Sequence, residues 1–507
     1  MKKMALTIII ITLLTRILGF GREIVLAHYY GASYITDAYL ISLTIPMTIF
    51  GFVGAAINVG YIPLYSKIEN DQSLYDADRY TSNLINFFLI LSLIIFSICY
   101  LFAEQLVSIF AMGFDEKTFK LATQFTRISL LGLFFSLLIS VSSAYLQIKK
   151  SFIIPVLIGV PFNIIIIGSI VLSTKGNLSV LAIGSLVALI AQFVFLAIFV
   201  FKKGYKYDVY IDIKDNNIRK MFFVVIPSIT GVSVSQINMI VDRTIASTIV
   251  IGGVSSLNYA NRIIQMVQGI FVLSIINIFY PTMSTYSSKG DFTNFKTLIK
   301  EIISVISIII LPCTIGLIIL RTPIVNLLYG RGNFNEHATI MTSQALLFYS
   351  IGLMGYSLRE ILARAFYAME ESKIPAKNAA LAMVVNIILN YILSRFLGIG
   401  GLAFATSIAA TFTTILLFIN LRKKIGPFGM KQISITFIKI LFASLIMGFI
   451  SKISFNYLTN FLSQNISLLT AIAIGVVSYF VIIYFMKIED VDVIVGAIKK
   501  KLNKSAA

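Results

Sequence analysis

Residues 15–46 read TRILGFGREIVLAHYYGASYITDAYLISLTIP. Both sides of the Gly31-Ala32-Ser33 turn are apolar enough to lie in a bilayer, yet they carry Arg16, Arg22, Glu23 and Asp37. A charge near the middle of a membrane helix costs about 2.5–3.5 kcal/mol on the insertion scale, so several in one stretch need a cause. The usual cause is a water-filled cavity between helices, with the charges facing a polar substrate or an ion. The stretch has a counterpart further along the chain. Residues 241–265 read VDRTIASTIVIGGVSSLNYANRIIQ, with Asp242 and Arg243 before a glycine turn and Arg262 after it. Gly31 to Ala38 and Gly253 to Ala260 share one spacing. Two charged helix pairs in corresponding halves point to a duplicated transporter with a central site.

Composition sets the class. Of 507 residues 58% are hydrophobic and 12% charged, which no soluble domain of this size matches, and apolar runs of about 20 residues read as membrane helices. The first helix follows Lys2 and Lys3 and lacks a small-residue cleavage site, so it is expected to be retained. A net charge of +19 invites a nucleic-acid reading, but the lysines fall in alternate loops, which is topology, so no nucleic-acid partner is expected. Lys2, Lys3, Lys149, Lys150, Lys202, Lys203, Lys220, Arg422, Lys423, Lys424 and the tail lysines 499–501 share one side, which places both termini in the cytoplasm. Cys99 and Cys313 are isolated and read as small packing residues. No nucleophile elbow, Walker loop or metal-ligand spacing is present, so a transporter is expected and not an enzyme.

The hydropathy pattern gives about 14 transmembrane helices, an all-α polytopic fold. Residues 1–203 form an N-terminal six-helix lobe, 204–218 a cytoplasmic linker and 219–425 a C-terminal six-helix lobe. Helices 13 and 14 follow within 426–490, and 491–507 is a basic tail. The repeat extends past the opening stretch. VSIFAMGFDEKT (107–118) matches VNLLYGRGNFNEHA (325–338), and YLQIKKSFIIP (145–155) matches FYAMEESKIP (366–375). Asn163 matches Asn386, and Leu181-Ala182 matches Leu402-Ala403. A nearly constant offset at separate places is the mark of a parallel repeat about an axis along the membrane normal.

Three arginines are the substrate candidates. A guanidinium fork matches the oxygens of phosphate, so Arg16, Arg22 and Arg262 around one cavity would suit a pyrophosphate. On a straight helix Arg16 and Arg22 are well apart around the axis, and a bend at Gly19 or Gly21 would bring them together. The bland alternative is snorkelling, or an ion pair with Glu23 or Asp37. Asp37 begins a helix, so capping competes with a gating pair to an arginine. Asp242, Asn386, Asn390 and Thr406 are an oxygen-donor set suited to a monovalent cation, with plain interhelical hydrogen bonding as the rival. Arg359, Glu360 and Arg364 read as a structural or gating pair, Glu360 with Arg364 at i, i+4.

The motifs RILGFGREIVLA (16–27), TDAYLI (36–41), QINMIVDRTIAS (236–247), LNYANRI (257–263), YGRGNF (329–334), RAFYAMEESKIP (364–375) and GLAFATSIA (401–409) together resemble the MurJ (MviN) family. These are lipid II flippases of the MOP exporter superfamily, which also holds the MATE transporters. The resemblance covers nearly the whole chain. It implies a MATE-like core plus two C-terminal helices forming a groove for the lipid tail, in the bacterial cytoplasmic membrane. It implies export of undecaprenyl-pyrophosphate-linked disaccharide-pentapeptide by alternating access, driven by membrane potential, sodium or both. Arg16, Arg22 and Arg262 match the arginine-lined cavity, with Glu23 and Asp37 as acidic companions. A sodium site would fall on Asp242, Asn386, Asn390, Leu402 by its carbonyl, and Thr406. No other cofactor is implied. Membrane lipids and a cell-wall polymerase are the expected partners, and the chain is expected to be a monomer.

The chain departs from the family pattern in two respects. Asn390 stands where some members have Asp, and Thr44, Phe50 and Gly51 stand where well-known members carry basic residues. The latter leaves open a flippase for another polyprenyl-pyrophosphate saccharide, of O-antigen, capsule or teichoic type. A MATE-like drug or cation antiporter would favour acidic and aromatic cavity residues over arginines.

Overall fold

The computed structural model describes residues 2–212 and 214–486. Among these residues every regular element is helical. The basic tail expected over 491–507 lies outside the described residues. Among the described residues ten helices are long and apolar enough to cross a membrane, or twelve if each of two bent pairs is one span. That is fewer than the expected 14. Two further helices, Lys2–Tyr30 and Asn216–Ile249, have 29 and 34 residues. They exceed the roughly 20 that span a bilayer, but they carry the charges that organise the sequence: Arg16, Arg22 and Glu23 in one, Asp242 and Arg243 in the other. The chain is a multi-pass membrane protein.

The duplication is written in the backbone. Glu116–Ser129 and Gly132–Ile148 meet at a 42° bend, and Glu336–Ile351 and Leu353–Ala368 meet at 46° at the corresponding place. At both breaks a glycine sits against a neighbouring helix. A Cβ on Gly132 would lie 2.7 Å from Leu189, and one on Gly352 would lie 2.4 Å from Ser407. Four pairs of positive φ also repeat: Gly31 (60°) with Gly252 (84°), Lys150 (58°) with Glu370 (59°), Gly176 (109°) with Gly398 (55°), and Gly204 (88°) with Gly426 (81°). A left-handed lysine and glutamate are uncommon, so their match reports shared loop geometry. Gly31 therefore corresponds to Gly252 and not to Gly253. Each half also holds a π-helical turn, at Ile57–Tyr61 and Gln268–Val272.

The chain divides into two compact units. The first is Met1–Ser255 with Arg331–Ala338. Within it, helix Tyr34–Ala56 packs on Glu116–Ser129 and on Asn216–Ile249, and Lys2–Tyr30 packs on Gly159–Ser173. A buried tyrosine cluster of Tyr61, Tyr65, Tyr80, Tyr145 and Tyr205 joins helix ends to the segment after residue 203. This unit takes in the linker and the whole of Asn216–Ile249. The linker is strapped to helix Leu74–Leu101. Asn83 Nδ2 donates to the Asp212 carbonyl (3.0 Å) and its Oδ1 accepts from the Asp212 N–H (2.8 Å). Asn86 Nδ2 donates to the Tyr210 carbonyl (3.0 Å), and the Tyr207 hydroxyl donates to Asn86 Oδ1 (2.5 Å). The Arg79 guanidinium lies 3.9 Å from the centre of the Tyr210 ring. Burial pushes the Tyr205 phenol up to about 12. Further along, the Thr244 hydroxyl donates to the Ile109 carbonyl (2.6 Å), and the Ser247 hydroxyl accepts from the Gly113 N–H (3.1 Å).

The second unit is Ser256–Gly330 with Thr339–Ala507. Its most extensive packing is between Lys373–Leu397 and Ile399–Ile425. Helix Phe292–Ile319 packs on Met430–Leu458, which in turn packs on Gln464–Phe485. The Tyr479 hydroxyl ties the last helix back by donating to the Ile308 carbonyl (2.6 Å). Small residues let these two final helices approach, since a Cβ on Gly475 would lie 2.1 Å from Ser451 Oγ. Their outer faces keep Phe442, Phe449 and Phe480 exposed, as surfaces that meet lipid do.

Candidate functional site

In the first unit, Lys2–Tyr30 is a single helix through Gly19 and Gly21, and it leaves Arg16 exposed. Arg22 is half-buried, and its Nη2 lies 2.6 Å from Glu23 Oε1, a carboxylate that is 3% exposed. The same guanidinium lies 5.8 Å from the centre of the Phe162 ring. The structure thus brings Arg22 and Glu23 together and leaves Arg16 apart from them. A planar guanidinium held by a carboxylate on one edge retains N–H donors on its other edges.

Asp37 has a role the sequence did not reveal. It is buried, and its two oxygens accept from the backbone N–H groups of Gly252 and Ser255, both at 2.7 Å. These N–H groups stand at the start of helix Gly253–Val267. Asp37 therefore caps the helix of the other repeat, where the dipole and unsatisfied donors favour a carboxylate. Arg243 Nη1 donates to the Val254 carbonyl (3.1 Å), beside the same turn. The glycines make this contact possible. A Cβ on Gly252 would lie 2.5 Å from the Ala32 carbonyl oxygen, and one on Gly31 would lie 2.3 Å from that of Asn333. The segment 331–338 closes the knot: Asn333 N–H donates to the His28 carbonyl (2.8 Å) and Asn333 Nδ2 to that of Tyr29 (2.5 Å). The matched turns around Gly31 and Gly252 were the available signal. Backbone donors have no sequence signature, so the partner of Asp37 stayed hidden. Asp242, on the same unit, receives a hydrogen bond from Asn238 Nδ2 (3.4 Å).

In the second unit, Arg262 is half-buried and its Nη1 donates to Gln265 Oε1 (3.1 Å). Four of the five cation candidates form one chain. Asn390 Nδ2 donates to Asn386 Oδ1 (2.8 Å), Asn386 Nδ2 to Thr406 Oγ1 (3.4 Å), and Thr406 Oγ1 to the Leu402 carbonyl (2.9 Å). Asn386 and Asn390 are buried. This chain links Lys373–Leu397 to Ile399–Ile425 and offers neutral oxygens, while the carboxylate of the set, Asp242, belongs to the first unit. Among the described residues no cluster of three or more His, Cys, Asp or Glu gathers as a metal site. Glu360 lies 3.3 Å from Arg359, its neighbour in sequence, and not against Arg364. Arg364 instead lies over the rings of Tyr280 and Tyr367. Outside the spans, a hydrogen bond from Lys424 holds the Glu371 carboxyl below its usual range.

Comparisons with known proteins agree with this architecture. The family described as "Lipid II flippase MurJ" matches residues 26–478. A protein of Aquifex aeolicus named "Probable lipid II flippase MurJ" is 30% identical, covering 94% of this chain and 93% of its own. The "Lipid II flippase MurJ" of Thermosipho africanus is 31% identical, with 93% and 94% covered. A solved structure titled "Lipid II flippase MurJ, inward closed conformation" superposes with a TM-score of 0.82 at 30% identity, over 94% of this chain and 98% of that one. An inward-facing MATE family transporter of the MOP superfamily superposes with a TM-score of 0.69 at 18% identity, which shows a shared fold. With two repeated helical units, charged spans and this match over most of its length, the chain belongs to the MurJ family of flippases, transporters and not enzymes.

Proposed function

We propose that this protein moves lipid II, the undecaprenyl-pyrophosphate-linked peptidoglycan precursor, from the inner to the outer leaflet of the bacterial cytoplasmic membrane. Membership of the family over residues 26–478 carries the reading. The half-buried guanidiniums of Arg22 and Arg262 supply the phosphate-matching chemistry. The pyrophosphate is drawn to them, and the lipid tail lies along Met430–Leu458 and Gln464–Phe485, whose outer faces are apolar. The two six-helix lobes, joined by the linker, alternate access to the two leaflets, with both termini in the cytoplasm. Membrane potential drives the cycle, at about 2.3 kcal/mol per charge per 100 mV. Sodium is a second source, through Asp242 with Asn386, Asn390, Leu402 and Thr406. A cell-wall polymerase receives the product, and the transporter works as a monomer.

One observation favours a second substrate. Thr44, at a position where basic residues stand in well-known members, is buried and donates to the Leu40 carbonyl (2.7 Å). This is the reading of a flippase for another polyprenyl-pyrophosphate saccharide. Proteoliposomes decide between them. Purified protein loaded with lipid II should expose it to an external probe faster than protein-free vesicles, and a different lipid-linked saccharide should be moved more slowly. Lipid II exposure at the protein-free rate, with the other saccharide moved, would reverse the assignment.

A further inference from the structure

The first unit contains a cavity of about 250 Å³ that the proposed transport path does not use. Its walls come from Leu74–Leu101, Gly132–Ile148 and Ser179–Lys202, and its roof from the strapped linker. Ile85, Leu138, Val141, Phe193 and Ala197 line it, with Tyr205 at the roof. The lining is overwhelmingly apolar. The roof hydroxyls are already engaged, Tyr205 with Ser82 (2.9 Å) and Tyr207 with Asn86 (2.5 Å), so they leave aromatic faces for the cavity.

We infer that this cavity binds one acyl chain of an anionic phospholipid. Three observations select the occupant. First, an apolar cavity of roughly 150 Å³ holds a benzene-sized molecule, so this one accepts a chain segment of on the order of ten carbons. Second, the surrounding phase is hydrocarbon. Two of the wall helices are membrane spans, and Phe201, one of the lining residues, is itself 58% exposed. Third, the end of the cavity where the roof leaves helix Ser179–Lys202 is basic, with Lys202, Lys203 and Lys206 all exposed there. Lysines next to a bilayer surface attract anionic headgroups. The roof that closes the chain site is the linker held by Asn83 and Asn86, so the bound lipid and the strap stabilise each other.

The chain has no tryptophan, which makes a site-specific reporter simple. A Phe193→Trp variant of the full chain places one indole at the cavity, and Phe480→Trp places one on an ordinary lipid-facing surface. Each is reconstituted in phosphatidylcholine with increasing phosphatidylglycerol brominated in its acyl chains. The cavity indole should be half-quenched at a several-fold lower mole fraction than the surface indole, and adding Ala197→Phe to fill the cavity should remove that difference. Coincident quenching curves overturn the proposal. The unmodified chain gives an independent reading: after detergent extraction, native mass spectrometry should find one phosphatidylglycerol retained per protein, and none retained also overturns it. Lys202→Ala, Lys203→Ala and Lys206→Ala should lower the preference for phosphatidylglycerol over phosphatidylcholine by roughly fivefold each. An unchanged preference refutes the anionic headgroup. Displacement of the quencher by a polyprenyl phosphate at equal mole fraction, with no competition from unbrominated phosphatidylglycerol, would reassign the site to the isoprenoid.

Discussion

Asp37→Ala is the perturbation with the clearest arithmetic. The buried carboxylate accepts two backbone hydrogen bonds at 2.7 Å from Gly252 and Ser255. Each hydrogen bond to a charged group is worth about 1.5–3 kcal/mol, and the helix N-terminus adds about 0.3–1 kcal/mol. Removing the side chain should therefore weaken the turn over 250–255 by about 3–7 kcal/mol. At 1.4 kcal/mol per factor of ten, the open population of that turn rises by roughly two to five orders of magnitude. Hydrogen exchange followed by mass spectrometry on a peptide covering 250–257 reads this directly. Asp37→Asn keeps one acceptor and sets an amide N–H against the other donor, so its exchange should fall between the parent and Asp37→Ala. Parental exchange rates in both variants would refute the assignment of Asp37 as the cap of Gly253–Val267.

Other substitutions test the remaining contacts. Arg22→Ala should lower thermal stability, because it removes the guanidinium partner of a 3%-exposed carboxylate; breaking a buried pair costs about 3–5 kcal/mol, and the 20% exposure of Arg22 puts this near the lower end. Adding Glu23→Gln should restore most of that loss, as measured by the melting temperature in detergent. Gly252→Ala places a Cβ 2.5 Å from the Ala32 carbonyl at φ 84° and should destabilise the first unit by at least about 1–2 kcal/mol, read in the same assay. Asn86→Ala removes the bonds to Tyr207 and Tyr210 and should speed proteolysis within 206–215 by roughly tenfold or more. Asn390→Asp adds a carboxylate to the Asn386–Thr406 chain, and sodium should then raise its melting temperature more than it raises that of the parent.

The fold was legible where it rests on hydrophobic length and repetition. Long apolar runs show themselves, and the repeated motifs mark the duplication that the matching bends and left-handed residues also display, although the bends themselves were not read from the sequence. Asn386 and Asn390 could be grouped because spacing along a helix sets which side chains share a face, whereas Thr406 stands on the following helix and Leu402 entered only with the family resemblance. Three features escaped for stated reasons. Asp37 bonds to main-chain N–H groups, which every residue but proline possesses. Glu360 was paired with Arg364 by helical spacing, but the Arg364 guanidinium lies over two tyrosine rings and Glu360 turns to Arg359. The strapping of the linker was hidden because polar residues of a membrane helix, Ser82, Asn83 and Asn86, hold a loop more than 120 residues away in sequence.

The central claim is that this chain flips lipid II through its half-buried arginines, and survival of a host whose own lipid II flippase has been depleted tests it most directly. Cells supplied with the parent chain should grow and display lipid II on the outer leaflet. Cells supplied with Arg22→Ala/Glu23→Gln, a pair that avoids leaving the carboxylate without its arginine, should not, nor should cells with Arg262→Ala, at equal amounts of inserted protein. Growth with those variants would contradict the arginine mechanism. Failure of the correctly inserted parent would contradict lipid II as the cargo.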